Sequence, residues 1–151
     1  MINVIIHCSD SSWGNAATIA GWHILPPPKG RGFSAIGYHY VILNGQLSPY
    51  KHHSYFDGHI ETGRPLDDDD DLELDERGAH AFGYNSAVGI CLIGLSGTFT
   101  DAQIRALSHL VNRLKIQFGG LGIKVMQHSD VEPKKPHCAG LAKLQLHSLN
   151  I

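Results

Sequence analysis

Ala87-Val88-Gly89-Ile90-Cys91-Leu92-Ile93 is the stretch whose reading decides the fold. It is apolar throughout, too short for a typical helix, and bounded by Asn85-Ser86 on one side and Gly94 on the other. A continuous apolar run of that length reads as a strand buried on both faces, which needs a sheet around it and covering layers above and below. The first layer follows directly. Thr100 and Gln103 form a capping box, and Ile104, Leu107, Val111, Leu114 and Phe118 then recur at helical spacing until Gly119-Gly120 stops them.

Working back toward the N-terminus, Asn3-Val4-Ile5-Ile6-His7 is short, apolar and β-branched, and the Ser/Asp/Gly cluster from Ser9 to Gly14 ends it. It reads as a second buried strand with His7 at its end. Ser11 to His23 has room for a short helix. Pro26-Pro27-Pro28 and Lys29-Gly30-Arg31-Gly32 must be irregular and read as an exposed loop. Tyr38-His39-Tyr40-Val41-Ile42-Leu43, then Asn44-Gly45 and Gln46-Leu47, predicts a hairpin turning at Asn-Gly, with Tyr38 and His39 on opposite sides of the strand. The pattern weakens from Lys51 to Arg77, where the aspartates Asp67 to Asp71 repel one another and read as a solvated loop rather than a metal site. Lys124-Val125-Met126 is a brief last strand leading to His128, followed by a Pro-containing loop through Gly140 and a short terminal helix. Strands interleaved with helices, plus one hairpin, predict an α/β fold with a central mixed sheet flanked by helices, in one domain spanning residues 1–151.

Composition narrows the function. The chain has 151 residues, 42% of them hydrophobic, which suits one core rather than two. Its formal net charge of -2 gives no electrostatic reason to bind nucleic acid or an anionic membrane. No stretch approaches the roughly 18 uninterrupted apolar residues of a membrane helix, and Met1 to His7 reads as a strand rather than a secretory signal. The expectation is therefore a monomer made in the cytoplasm. Three cysteines cannot all pair within the chain, so free or metal-bound thiols are expected.

The unusual feature is histidine, with 11 residues. His7 follows the first strand, His128 follows the last, and Cys138 lies in the next loop. Two imidazoles and a thiolate make a three-donor zinc site whose open fourth position marks catalytic rather than structural zinc. Spacing alone does not choose among donors, because His23, His52, His53, His59 and His137 compete. Cys8 should point away from His7, and Cys91 lies inside an apolar run, so both read as core thiols.

Several motifs in order resolve the competition. Ile6-His7-Cys8-Ser9, Gly37-Tyr38-His39-Tyr40-Val41-Ile42, Gly63-Arg64-Pro65-Leu66, Gly78-Ala79-His80, Gly83-Tyr84-Asn85-Ser86 before Val88-Gly89-Ile90, Phe99-Thr100, and His128-Ser129-Asp130-Val131 run nearly the whole length of the chain. Together they resemble the type 2 N-acetylmuramoyl-L-alanine amidases, the family that includes phage lysozyme-type amidases and peptidoglycan recognition proteins.

The resemblance implies the amidase and recognition-protein fold. It also implies one zinc ion held by His7, His128 and Cys138, with Tyr38 beside the metal-bound water. It implies hydrolysis of the amide between N-acetylmuramoyl and L-alanine in peptidoglycan, or in a muropeptide, after the protein reaches the wall by lysis or signal-independent export. The family's usual lysine, two residues before the last ligand, falls here on Pro136, so its oxyanion-stabilising role passes to Lys134 or Lys135. His80 matches a groove-lining histidine and can bond a peptide stem or serve structure. Asn85 can contact substrate or cap the turn before its strand. The alternative from another class is a non-catalytic peptidoglycan-binding recognition protein.

Overall fold

Five strands form one sheet in the order β3-β2-β4-β1-β5, in a computed structural model that describes residues 1–69 and 71–151. In chain order the elements are β1 (Ile2–Cys8), α1 (Ala16–Ile24), β2 (Tyr40–Ser48), β3 (Lys51–Thr62), β4 (Val88–Leu92), α2 (Asp101–Gln117), β5 (Ile123–Gln127), α3 (His128–Val131) and α4 (Lys143–Ser148). β1 pairs parallel with both β4 and β5, β4 pairs parallel with β2, and β2 and β3 form the antiparallel hairpin. The apolar run around Val88 to Leu92 is the central strand, and all five of its residues are buried.

Strand periodicity of two divides the apolar side chains between two layers. Val4, Ile6, Tyr40, Ile42, Val88, Ile90, Leu92 and Val125 face α2, whose Leu107, Leu110, Val111 and Leu114 cover them, with Phe118 closing the far end. Val41, Leu43, Cys91 and Ile93 face the other way, against Ile19 of α1 and Ile36 of the following loop. α1 covers this second face only in part, so the C-terminal end of β1 opens toward solvent there.

Two expectations change. Asn44-Gly45 is not the hairpin turn: β2 runs on to Ser48, which pairs with Lys51, and the register shifts on either side of Asn44. Gly45, at φ +85, takes its positive angle inside a bulge. The chain reverses instead at Pro49-Tyr50, and the weak pattern after Lys51 is a 12-residue strand. β3 is an edge strand exposed along most of its length, so burial never imposed an apolar alternation on it. Of the aspartate run, Asp67, Asp68, Asp69 and Asp71 lie in irregular backbone, where Asp67 and Asp69 accept from the amides of Asp69 and Asp71. Asp70 lies outside the described residues.

Helix α2 is joined to the sheet by a fully buried amide. Gln103 Nε2 donates to Ile42 O at 3.0 Å and to Ile93 O at 2.8 Å, while Gln103 Oε1 accepts from Thr100 N to close the capping box. One side chain thus caps its helix and bonds carbonyls of β2 and of the residue that follows β4. Gln103→Leu keeps the volume but removes every donor, and an unsatisfied buried polar group costs about 1–3 kcal/mol. We expect a drop in stability of about 2–3 kcal/mol, seen as a lower urea midpoint with unchanged slope.

Candidate metal centre and its cavity

The parallel register of β1 and β5 creates the site. Ile6 stands opposite Gln127, so the next residue on each chain, His7 and His128, emerges side by side at the C-terminal edge of the sheet. That edge is where open α/β sheets bind ligands. His7 Nδ1 and His128 Nδ1 lie 3.1 Å apart, with ring centroids at 4.4 Å. Cys138 reaches them on a loop tied back to β5, where Gln127 Oε1 accepts from the amides of Gly140 and Leu141. Ser129 N donates to Cys138 O at 2.6 Å, and the next side chain, Ala139, is buried in the core. One donor atom from each of His7, His128 and Cys138 lies within 4.8 Å of the other two. This group can hold a metal ion.

Each ring's protonation follows from its surroundings. Burial, and then the neighbouring His80, His128 and His23, hold His7 well below the ordinary histidine range. Burial, and then the charge of Lys135, lower His128. His80 and His23 are each brought down to about 4, chiefly by burial. All four rings are neutral at pH 7, the form that offers a lone pair. His80 is engaged at both nitrogens, Nδ1 with His7 Nε2 at 3.0 Å and Nε2 with Ala87 O at 2.9 Å. Asn85 Oδ1 accepts from the amides of His80 and Ala81, so its side chain caps the turn that carries His80. Of the competing histidines, His23 accepts from Gly37 N at 2.9 Å through Nδ1, and His137 lines the cavity outside the three-donor group.

Cys8 takes the expected direction and has one further neighbour. Its side chain leaves β1 on the core side, opposite His7, yet at the strand's last position it also meets Cys138 and borders the cavity. A side-chain hydrogen bond between the two thiols lowers Cys8 to about 7 and raises Cys138. The Cys8 backbone N–H donates to Cys138 Sγ at 3.3 Å, a contact that favours the thiolate and works against the effects that raise Cys138. Alternation predicted the direction of the Cys8 side chain; the loop that brings Cys138 beneath it left no periodic trace. Cys91 is buried, as its apolar run implies.

The donors sit at the floor of a cavity of about 860 Å³. Tyr38, Lys134 and Lys135 line it, together with Trp13, Trp22, Arg31 and Phe33. Tyr38 packs its ring 5.0 Å from that of His7, and burial, then the nearby thiols of Cys91 and Cys138, push its phenol well up, so the hydroxyl keeps its proton at neutral pH. The charge of Lys135 reaches His128, as does that of Arg31.

Sequence reading placed Arg31 on an exposed loop, as the structure does, but gave it no part in the cavity that it borders. That loop folds back on α1 through Arg31 N to Trp22 O at 3.1 Å, Gly32 N to Leu25 O at 2.8 Å and Phe33 N to His23 O at 2.8 Å. Gly30 permits the approach, since a Cβ there would meet Leu25 O at 2.4 Å. The paired glycines around Arg31 were the available signal.

An endolysin of Klebsiella phage KP32 is 32% identical over 142 residues, covering 87% of this chain and 76% of that protein. The chain belongs to the type 2 N-acetylmuramoyl-L-alanine amidase family. The N-acetylmuramoyl-L-alanine amidase LysC from Clostridium intestinale URNW superposes on this amidase with a TM-score of 0.71 at 25% identity, covering 99% of this chain and 85% of that one. Bumblebee PGRP-SA shares the fold, with a TM-score of 0.65 at 23% identity over 89% of this chain and 74% of its own. No family model matches the amidase.

The neutral rings make the metal-free amidase sensitive to acid. A histidine whose folded pKa lies below its unfolded value of about 6.5 leaves stability unaffected above that pH; the loss begins as pH falls through about 6.5 and is complete near the folded pKa. For His80, at about 4, the loss corresponds to on the order of 3 kcal/mol. Urea midpoints measured in chelator should hold steady from pH 8 to 7 and drop steeply from pH 6.5 to 4.5. A flat profile over the lower interval would contradict the neutral-ring assignment.

Proposed function

We propose that this amidase is a single-domain zinc hydrolase that cuts the amide between N-acetylmuramate and L-alanine in bacterial peptidoglycan. The observation that carries the reading is the gathering of His7, His128 and Cys138 donor atoms within 4.8 Å at the floor of an open cavity.

The donor set suits zinc. Tetrahedral geometry with Zn–N bonds near 2.0–2.1 Å places two ligand nitrogens roughly 3.3 Å apart, and the two Nδ1 atoms lie at 3.1 Å. Two imidazoles and a thiolate favour a borderline-soft ion over magnesium or calcium, which seek oxygen. Among the described residues the group has three members, leaving a fourth coordination position for the reaction.

The chemistry zinc supplies when held there is a nucleophile available at neutral pH and a Lewis acid for an amide carbonyl. The protein's own groups do the rest. The protonated Tyr38 hydroxyl donates to the developing oxyanion or to the departing alanine amine. Lys135, whose charge acts on His128, stabilises the oxyanion in place of the lysine that Pro136 displaces, with Lys134 and Arg31 as further cations on the wall. The walls, with Trp13, Trp22 and Phe33 among them, offer aromatic faces to the sugar and peptide on either side of the scissile bond. The endolysin relative supports action on the cell wall.

Mass spectrometry of a muramoyl-peptide digest tests bond and metal together. Wild-type protein should release peptide with a free L-alanine amine, lose that activity to a chelator and regain it with zinc, whereas His7→Ala and Cys138→Ala stay inactive after zinc is returned. Zinc-loaded protein that binds the muropeptide without cutting it would favour the recognition-protein alternative.

Steady-state kinetics divide the roles on the cavity wall. Tyr38→Phe should lower kcat by about 10²-fold, and Lys135→Met should lower it by about 10²–10³-fold, while Lys134→Met stays close to wild type. Equal losses for the two lysine variants would remove the distinction between them.

A further inference from the structure

We propose that His80 is a positioning residue that sets the tautomer of His7 and thereby aims His7 Nδ1 at the metal. A chain of three groups, Ala87 O, His80 and His7, fixes where each ring proton sits. Ala87 O can only accept, so His80 Nε2, 2.9 Å away, carries a hydrogen and donates it. A neutral imidazole has one N–H, and that of His80 is committed to Ala87 O. His80 Nδ1 is therefore an acceptor. Its partner at 3.0 Å is His7 Nε2, which must be the donor. With its hydrogen on Nε2, the His7 ring is left with its lone pair on Nδ1, the atom that faces His128 Nδ1 at 3.1 Å.

The backbone holds this relay in place. A Cβ on Gly78 would lie 2.3 Å from His80 Cδ2, and one on Gly89 would lie 2.7 Å from the same atom, so the ring rests against two glycines with no room for another side chain. Asn85 Oδ1 accepts from His80 N at 3.2 Å, and Gly78 N donates to Asn85 O at 2.9 Å, closing the turn around the ring. Ala79 N donates to Gly37 O at 3.0 Å, which ties that turn to the segment carrying Tyr38. A second histidine, His39, locks the neighbouring backbone: its Nε2 donates to Glu76 O at 2.6 Å and its Nδ1 accepts from Gly89 N at 2.9 Å. With both ring nitrogens committed, His80 acts on the reaction through His7. Groups that orient a metal-ligating histidine typically contribute 10–100-fold in metal affinity.

The inference rests on the zinc reading for its consequence but not for its tautomer, and the experiment separates the two. ¹⁵N-histidine NMR of the metal-free and zinc-loaded protein reports the protonated nitrogen of His7, and competition with a chromophoric chelator gives zinc affinity for wild type, His80→Ala and His80→Asn. We expect His7 to be protonated at Nε2 in both states and coordinated through Nδ1. His80→Ala should weaken zinc binding by about 10–100-fold, and His80→Asn, whose amide oxygen can take the place of Nδ1, should recover most of it. A purely structural role would not set the His7 tautomer. His7 protonated at Nδ1, coordination through Nε2, or an unchanged affinity in His80→Ala overturns the proposal. Failure of wild type to bind zinc counts against the zinc reading instead, and the metal-free spectrum still decides the tautomer. If His80→Ala does not fold, the wild-type spectra decide alone.

Discussion

Parallel pairing of β1 with β4 on one side and β5 on the other is the constraint on which the rest of this structure depends. It buries Val4, Ile5, Ile6 and His7 in succession. It also sets Ile6 against Gln127, so that two histidines leave adjacent strand ends together. A slip of one residue in either ladder would turn His7 toward α2 or leave His128 beside the wrong neighbour, because side chains alternate faces at every step. The pairing of the two candidate histidine donors is therefore a property of the sheet's register before it is a property of any loop.

Register brings the imidazoles together, and accounting for buried polar groups orients them. Among the described residues no buried side-chain nitrogen or oxygen lacks a hydrogen-bond partner. Gln103, His39 and His80 are the main examples, each tied to backbone groups that would otherwise be stranded in the interior. The same bonds that stabilise the fold decide which ring nitrogen carries a proton. Here packing and chemistry are one constraint, since a neutral imidazole cannot satisfy a carbonyl at one nitrogen without freeing the other to accept. The asymmetry of the two faces completes the arrangement. α2 seals one side of the sheet, while α1 and the folded-back loop that carries Arg31 leave the other open as the cavity.

Much of this was legible in the chain. The run around Val88 to Leu92 announced a central strand because a strand covered on both faces has no reason to alternate. Thr100 and Gln103 announced the start of α2, and the order of motifs along the chain pointed to the family and, through it, to His7, His128 and Cys138 as candidate donors. Other features were silent for physical reasons. β3 carries little apolar alternation because it lies at an exposed edge. Asn44-Gly45 looked like a turn because a bulge and a tight turn make the same demand for positive φ. Cys8 meeting Cys138, and Arg31 meeting the cavity, come from loops closing on themselves, and loop closure has no period.

By itself the sequence determined most of the element types and the approximate core, because these rest on side-chain chemistry and on periodicities that can be counted along one dimension, while the candidate donors His7, His128 and Cys138 came from its resemblance to a family. Only the tertiary structure decided which face of the sheet stays open, which cations share the cavity with the donors, and which nitrogen of His7 is left with its lone pair. Those outcomes depend on contacts such as His7 with His80, 73 positions apart, and His7 with His128, 121 positions apart. Hydrogen bonding at that separation is set by strand register and backbone closure, for which no local pattern stands in.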